Sequence, residues 1–147
     1  MAADNFRNLA AYKKAFALAM EIFEITKRFP KEERFSLTDQ MRRSSRSVCS
    51  CIGEAYRKRH YEGYFVSKSS DADGENTETR VWLDFSVACK YITSESWSAL
   101  ELRAEEVGKL INHMIENPEK YQRKTPIKRL GERTIRREEI KITGKSS

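Results

Sequence analysis

The chain has 147 residues, 39% of them hydrophobic and 34% charged, and a formal net charge of +6. That length suits one domain with one core, and six Gly and three Pro leave room for long helices. No apolar run approaches the roughly 20 residues of a membrane span, and MAADNFRNLAAYKKAF lacks a signal peptide's apolar core, which leaves a cytoplasmic protein.

The first predicted helix covers about 8–29, from Asn8 as N-cap to Phe29 before Pro30. Leu9, Tyr12, Phe16, Ala19, Phe23 and Thr26 step by three and four. Ala15, Leu18, Ile22, Ile25 and Phe29 form a second stripe beside them. Together they cover about half the circumference, more than the roughly 100° of an ordinary surface helix. Such a helix is either wedged deep in its own bundle or shared with a subunit interface. On the second reading Leu18, Ile22 and Ile25 are the candidate oligomer contacts.

The second helix is predicted over about 36–59, with Ser36 and Asp39 as a weak capping box. Leu37, Met41, Val48, Cys51 and Ala55 form its seam. Ser44, Ser45, Ser47, Ser50 and Gly53 are small enough for close helix approach. The third, about 61–92, has apolar ends at Tyr64-Phe65 and at Val81, Trp82, Phe85 and Ala88. Residues 67–80, SKSSDADGENTETR, have Ala72 as their one apolar side chain. A loop broken at Asp73-Gly74 and a long helix with a polar middle both fit this stretch. The fourth, about 94–117, keeps the three-four spacing through Trp97, Leu100, Ala104, Val107, Ile111 and Met114. Short connections make sequential helices antiparallel. The expected fold is all-α: an antiparallel up-down-up-down four-helix bundle over 1–117, followed by a basic C-terminal tail, 118–147.

The charge is unevenly placed. Residues 1–117 hold equal numbers of basic and acidic side chains, whereas 118–147 hold ten Lys/Arg against four Glu. A neutral body with a basic tail points to a polyanionic partner. Arg123, Lys124, Lys128, Arg129, Arg133, Arg136 and Arg137 are its candidate contacts, on an arm that orders when bound. On the body, Arg57, Lys58 and Arg59 stand beside Tyr61, and cations among aromatics hold phosphates and stack bases. Arg42, Arg43 and Arg46 are instead expected to form a structural polar network with Glu54 and Glu78.

No catalytic constellation stands out. The Asp71–Asn76 stretch fails the register of a calcium loop, which would need glycine at Asn76 and an acid at Trp82. Cys49 and Cys51, two apart on a helix, point to nearly opposite faces and make a poor zinc pair. His60 and His113 have no partner spacing. With Cys89, the cysteines read as reduced, small core residues. A non-enzymatic protein with no metal or other cofactor is expected.

FRNLAAYKKAFALAMEIFEITKRFP, LTDQMRRSSRSV, SCIGEA and GENTETRVWLDFSVACKYI, in that order, resemble one small bacterial family over about residues 5–117. Its members are the four-helix-bundle proteins encoded in intervening sequences of large-subunit ribosomal RNA genes. They are related to the accessory variability proteins of diversity-generating retroelements. Gly74 and Glu78 fall where the family has Gly-Ser-x-x-Glu inside a continuous helix, which implies a long third helix. The resemblance also implies a ring-like homo-oligomer, a pentamer, that binds RNA or DNA and has no catalytic activity. In the retroelement branch it implies a reverse transcriptase partner. Two departures stand out: Cys51-Ile52-Gly53-Glu54-Ala55 replaces a common Asn-Ile-Ala-Glu-Gly, and Lys90 replaces a frequent glycine. The alternative function is a protein-interaction bundle whose basic tail docks an acidic protein.

Overall fold

The computed structural model describes residues 5–122. Among them are four α-helices and no strand: α1 Ala10–Thr26, α2 Leu37–Arg57, α3 Glu62–Ala88 and α4 Ser94–Glu116. Each packs on its neighbours in sequence, and α1 closes the bundle against α4. Lys14 pairs with Glu106 at 3.1 Å and Glu21 with Arg103 at 3.7 Å, so α1 and α4 run in opposite directions. The expected four-helix bundle is what the chain forms. Tail residues 123–147, including all seven candidate contacts from Arg123 to Arg137, lie outside the described residues.

The fates of the α1 side chains cut across the two stripes, Ala19 and Thr26 of the first being buried like most of the second. Ala11, Ala15, Leu18, Ala19 and Ile22 are buried within this single chain, Ile22 at 0% exposure, while Phe16 and Met20 remain 51% and 45% exposed. This corrects the expected oligomer contacts: Leu18 and Ile22 belong to the bundle core and Ile25 packs partly against it. Leu18 and Ile22 are already covered by the chain's own helices, so they offer no face to a second copy.

α3 is one continuous helix through the polar stretch. Its buried residues are Phe65, Ser69, Ala72, Asn76, Thr79, Leu83 and Ser86, which alternate steps of four and three throughout. The helical rhythm is present, but small polar side chains carry it. Asn76, Thr79 and Ser86 are tolerated inside because their hydrogen bonds are made locally or across the bundle, whereas the small Ser69 is buried with its hydroxyl unpartnered. Asn76 Nδ2 donates to the Ala104 carbonyl at 2.9 Å, Thr79 and Ser44 share a 2.8 Å contact, and Ser86 Oγ donates to the Trp82 carbonyl. Asp71 and Asp73 lie on this helix, so the calcium-loop geometry is absent.

Helix ends also differ from expectation. Asn8 does not cap α1; Asn5 caps a short 3₁₀ turn, Phe6–Asn8, accepting from the Arg7 amide at 2.9 Å. Ser36 makes no side-chain cap on α2. Glu33 does this work instead, accepting from the Leu37 amide at 3.3 Å and from Ser36 Oγ at 2.6 Å. Its other oxygen accepts from Tyr91 Oη at 2.8 Å, which ties the α1–α2 connection to the α3–α4 corner. These bonds favour the carboxylate and hold Glu33 below its ordinary pKa, while the Tyr91 hydroxyl is pushed up to about 12.

A depressed carboxylate pKa contributes stability that is present above the ordinary value and lost as pH falls through the folded one. Glu33→Gln is therefore expected to lower Tm at neutral pH, with the gap to wild type closing as the pH falls below 4.5. Thermal melts across that range test this; a gap that persists undiminished in acid would show that charge has no part in the cap.

The departure at Lys90 has a structural cost. The amide of Tyr91 reaches back to the Ser86 carbonyl at 2.9 Å and that of Lys90 to Val87 at 3.0 Å, closing α3 in a Schellman turn. That turn needs a left-handed residue, and Lys90 takes it at φ 64°. The Cβ strain there is about 1 kcal/mol, which a glycine would avoid.

Candidate nucleic-acid interface

The α2–α3 corner is built from very few residues. α2 ends at Arg57, the Arg59 amide bonds back to the Tyr56 carbonyl, and the Tyr61 amide bonds to Lys58. The tightness of the turn splays consecutive side chains in different directions. Arg57 and Lys58 point to solvent, with Lys58 Nζ 5.0 Å over the Tyr64 ring. Tyr61 is 53% exposed, its ring 4.0 Å from that of His60.

Arg59 goes the other way, which corrects its expected role. It is 3% exposed, its guanidinium sits 3.9 Å over the Tyr56 ring, and Nη1 donates to the Tyr56 carbonyl at 2.7 Å. A cation held in this manner is a structural clasp and is closed to phosphate.

The expected polar network divides. Arg43 binds Glu78 and also Glu75, at 3.3 Å, and Glu78 accepts from Trp82 Nε1. Arg42 instead donates to Thr26 Oγ1 at 2.8 Å and lies 4.8 Å over Phe23, fastening α2 to the end of α1. Glu54 pairs with Lys68 at 3.1 Å. Arg46 is exposed, 5.8 Å over Phe23. Only Arg43 and Glu78, of the five, meet as expected.

Arg46 is thereby delivered to a second surface that periodicity did not single out. Tyr12, Phe16 and Met20 of α1 and the outer face of α2 enclose a groove of about 880 Å³. Tyr12 stacks on Phe16 with ring centres 6.0 Å apart and 25° between planes, and Phe6 meets Tyr12 edge-on at 5.0 Å. Opposite this aromatic wall stand Arg46, Arg57, Lys58 and Tyr64, over a floor of Cys49, Ser50 and Gly53. A Cβ at Gly53 would lie 3.5 Å from Phe6, an ordinary contact, so glycine is not required there for close approach. The sequence signal was available: an aromatic at 12 and 16 facing small residues at 49, 50 and 53.

The last described segment reaches the same end of the bundle. After α4 a 3₁₀ turn, Pro118–Tyr121, folds back; the Tyr121 ring packs tilted against Phe65 with centres 5.5 Å apart, and its hydroxyl meets His113 Nδ1 at 2.8 Å. Phe65 is one turn from Tyr61. The described chain thus finishes at the end of the bundle that carries the α2–α3 corner.

Cys49 and Cys51 are buried and Cys89 is exposed, so the reading of all three as core residues fails at Cys89. Burial pushes the Cys49 thiol up to about 11. Among the described residues no group of three or more His, Cys, Asp or Glu is placed to hold a metal ion. No described helix is long and apolar enough to cross a membrane.

The family model of the 23S rRNA-intervening sequence protein matches residues 7–113. A solved structure from Bacteroides thetaiotaomicron VPI-5482, a protein with unknown function from the S23 ribosomal protein family, is 25% identical, with a TM-score of 0.65. The match covers 72% of this chain and 95% of that one. No curated protein matches.

Proposed function

The chain belongs to the 23S rRNA-intervening sequence protein family, and from that premise we propose that it is a non-enzymatic RNA-binding accessory protein acting as a homo-oligomer. One observation carries the reading: at the end where the chain leaves α4, Lys58 lies over the Tyr64 ring, with Arg57 and Tyr61 exposed at the same corner. From that end the chain continues into the segment with ten Lys/Arg against four Glu. Phosphate neutralisation by such cations supplies affinity without sequence preference. The aromatic neighbours favour nucleic acid over an acidic protein, since bases present π faces that carboxylates lack. A reverse transcriptase partner rests on the retroelement resemblance alone; RNA is the partner proposed.

Binding to single-stranded RNA is expected to weaken with salt at a slope of about −0.7 per phosphate contact. The double variant Arg57→Ala/Lys58→Ala should flatten that slope by about 1.4, two contacts' worth, with helicity unchanged. Fluorescence anisotropy across a salt series reads it. A slope identical to wild type would remove this corner from the interface.

A further inference from the structure

We propose that the α1–α2 groove is a stacking site for unpaired RNA bases, with Arg46, Arg57 and Lys58 holding the phosphates on either side. The inference rests on the RNA reading above and adds to it what the groove would take: single strands, by their bases. Its volume of about 880 Å³ is that of a ligand site. Phe16, at 51% exposure, is an aromatic left in water by a bundle that buries Ile22 completely. Tyr12 holds the ring from behind in a stacked pair, so an incoming base would meet a braced surface. Arg46 and Arg57 are eleven residues apart on α2, about 16 Å along the axis, which leaves room for a short run of nucleotides between two cations.

Charge decides among occupants. The chain's own final residues carry excess positive charge and would be repelled by the groove's cations. A second copy presenting the same face would be repelled likewise, and one presenting a different face would reveal itself as a change in particle mass in light scattering. Glu54 is the groove's acid, and its carboxylate is engaged by Lys68 at 3.1 Å. What complements cations interleaved with flat rings is a polyanion bearing flat rings.

The test uses the full chain, with single-stranded oligoadenylate as the probe, inorganic polyphosphate as a polyanion without bases, and polyglutamate as an acidic peptide. Phe16→Ala is expected to weaken oligoadenylate binding about tenfold, within the range of one lost base stack, and to leave polyphosphate binding unchanged. Phe16→Leu, which keeps apolar bulk and removes the π face, should lose most of the same affinity. Circular dichroism and light scattering accompany each variant. Full affinity in both variants, with salt-dependent RNA binding intact, would overturn the groove and leave the RNA reading standing. No oligoadenylate binding by the wild type would overturn both. Restoration by leucine, loss confined to polyglutamate, or a change in particle mass would each assign the groove to a protein contact and overturn the proposal.

Discussion

Replacing Ile22 by alanine is expected to cost about 2–5 kcal/mol of folding stability, whatever the protein concentration. Ile22 is completely buried within one chain, among Ala15, Leu18 and Ala19 of its own helix and the core faces of the other three. Truncation removes three carbons and leaves a cavity that close-packed helices fill only in part. Urea unfolding at two protein concentrations separates this from an interface role. A core residue shifts the midpoint equally at both, whereas a subunit contact makes the midpoint depend on concentration. If Ile22→Ala dissociates an oligomer and leaves the midpoint in place, the residue faces outward after all.

Ending the chain at Gln122 is expected to have the largest effect on binding. The cut keeps Tyr121 packed on Phe65, and with it the last anchored turn. It removes most of the segment that holds the excess of basic over acidic residues. If six phosphate contacts on a single strand are lost, the salt slope flattens by about 4, so full-length affinity should fall about 250-fold more than that of the shortened chain between 50 and 200 mM salt. Anisotropy titrations at several salt concentrations give the slope directly. Equal slopes for the two chains would confine RNA binding to the bundle.

The number of helices was legible because apolar residues recur at three and four over most of the chain, and their direction because the connections are short. α1 shows the limit of that signal. Its apolar residues cover about half the circumference, so periodicity establishes a helix but leaves open which of them face inward. The answer comes from packing: the side with Ala11, Ala15 and Ala19 allows close approach, and Phe16 and Met20 are left outside. In α3 the difficulty is reversed. Asn76 and Thr79 hold core positions that a hydrophobicity pattern cannot register, since what qualifies them is a partner, the Ala104 carbonyl for one and Ser44 for the other.

The candidate site was half visible. Arg57, Lys58 and Tyr61 are exposed where a cation–aromatic cluster was expected. Arg59 is not, because at a tight corner adjacent residues diverge and Tyr56 captures the guanidinium. Arg46 was assigned to an internal network, yet it lines the groove. Its nominal partner Glu54 is held by Lys68, a pairing between α2 and α3 that no spacing within one helix reveals.

The opposed run of neighbouring helices has an electrostatic consequence. At the end where the chain leaves α4, two helices begin and two finish, so the partial positive charges of the α1 and α3 amides stand beside the partial negative charges of the α2 and α4 carbonyls. Helix macrodipoles arranged in this way cancel within a short distance. The backbone therefore gives this end no standing field for anions. Any attraction felt there by a phosphate chain originates in individual guanidinium and ammonium groups, and it can be dismantled one side chain at a time.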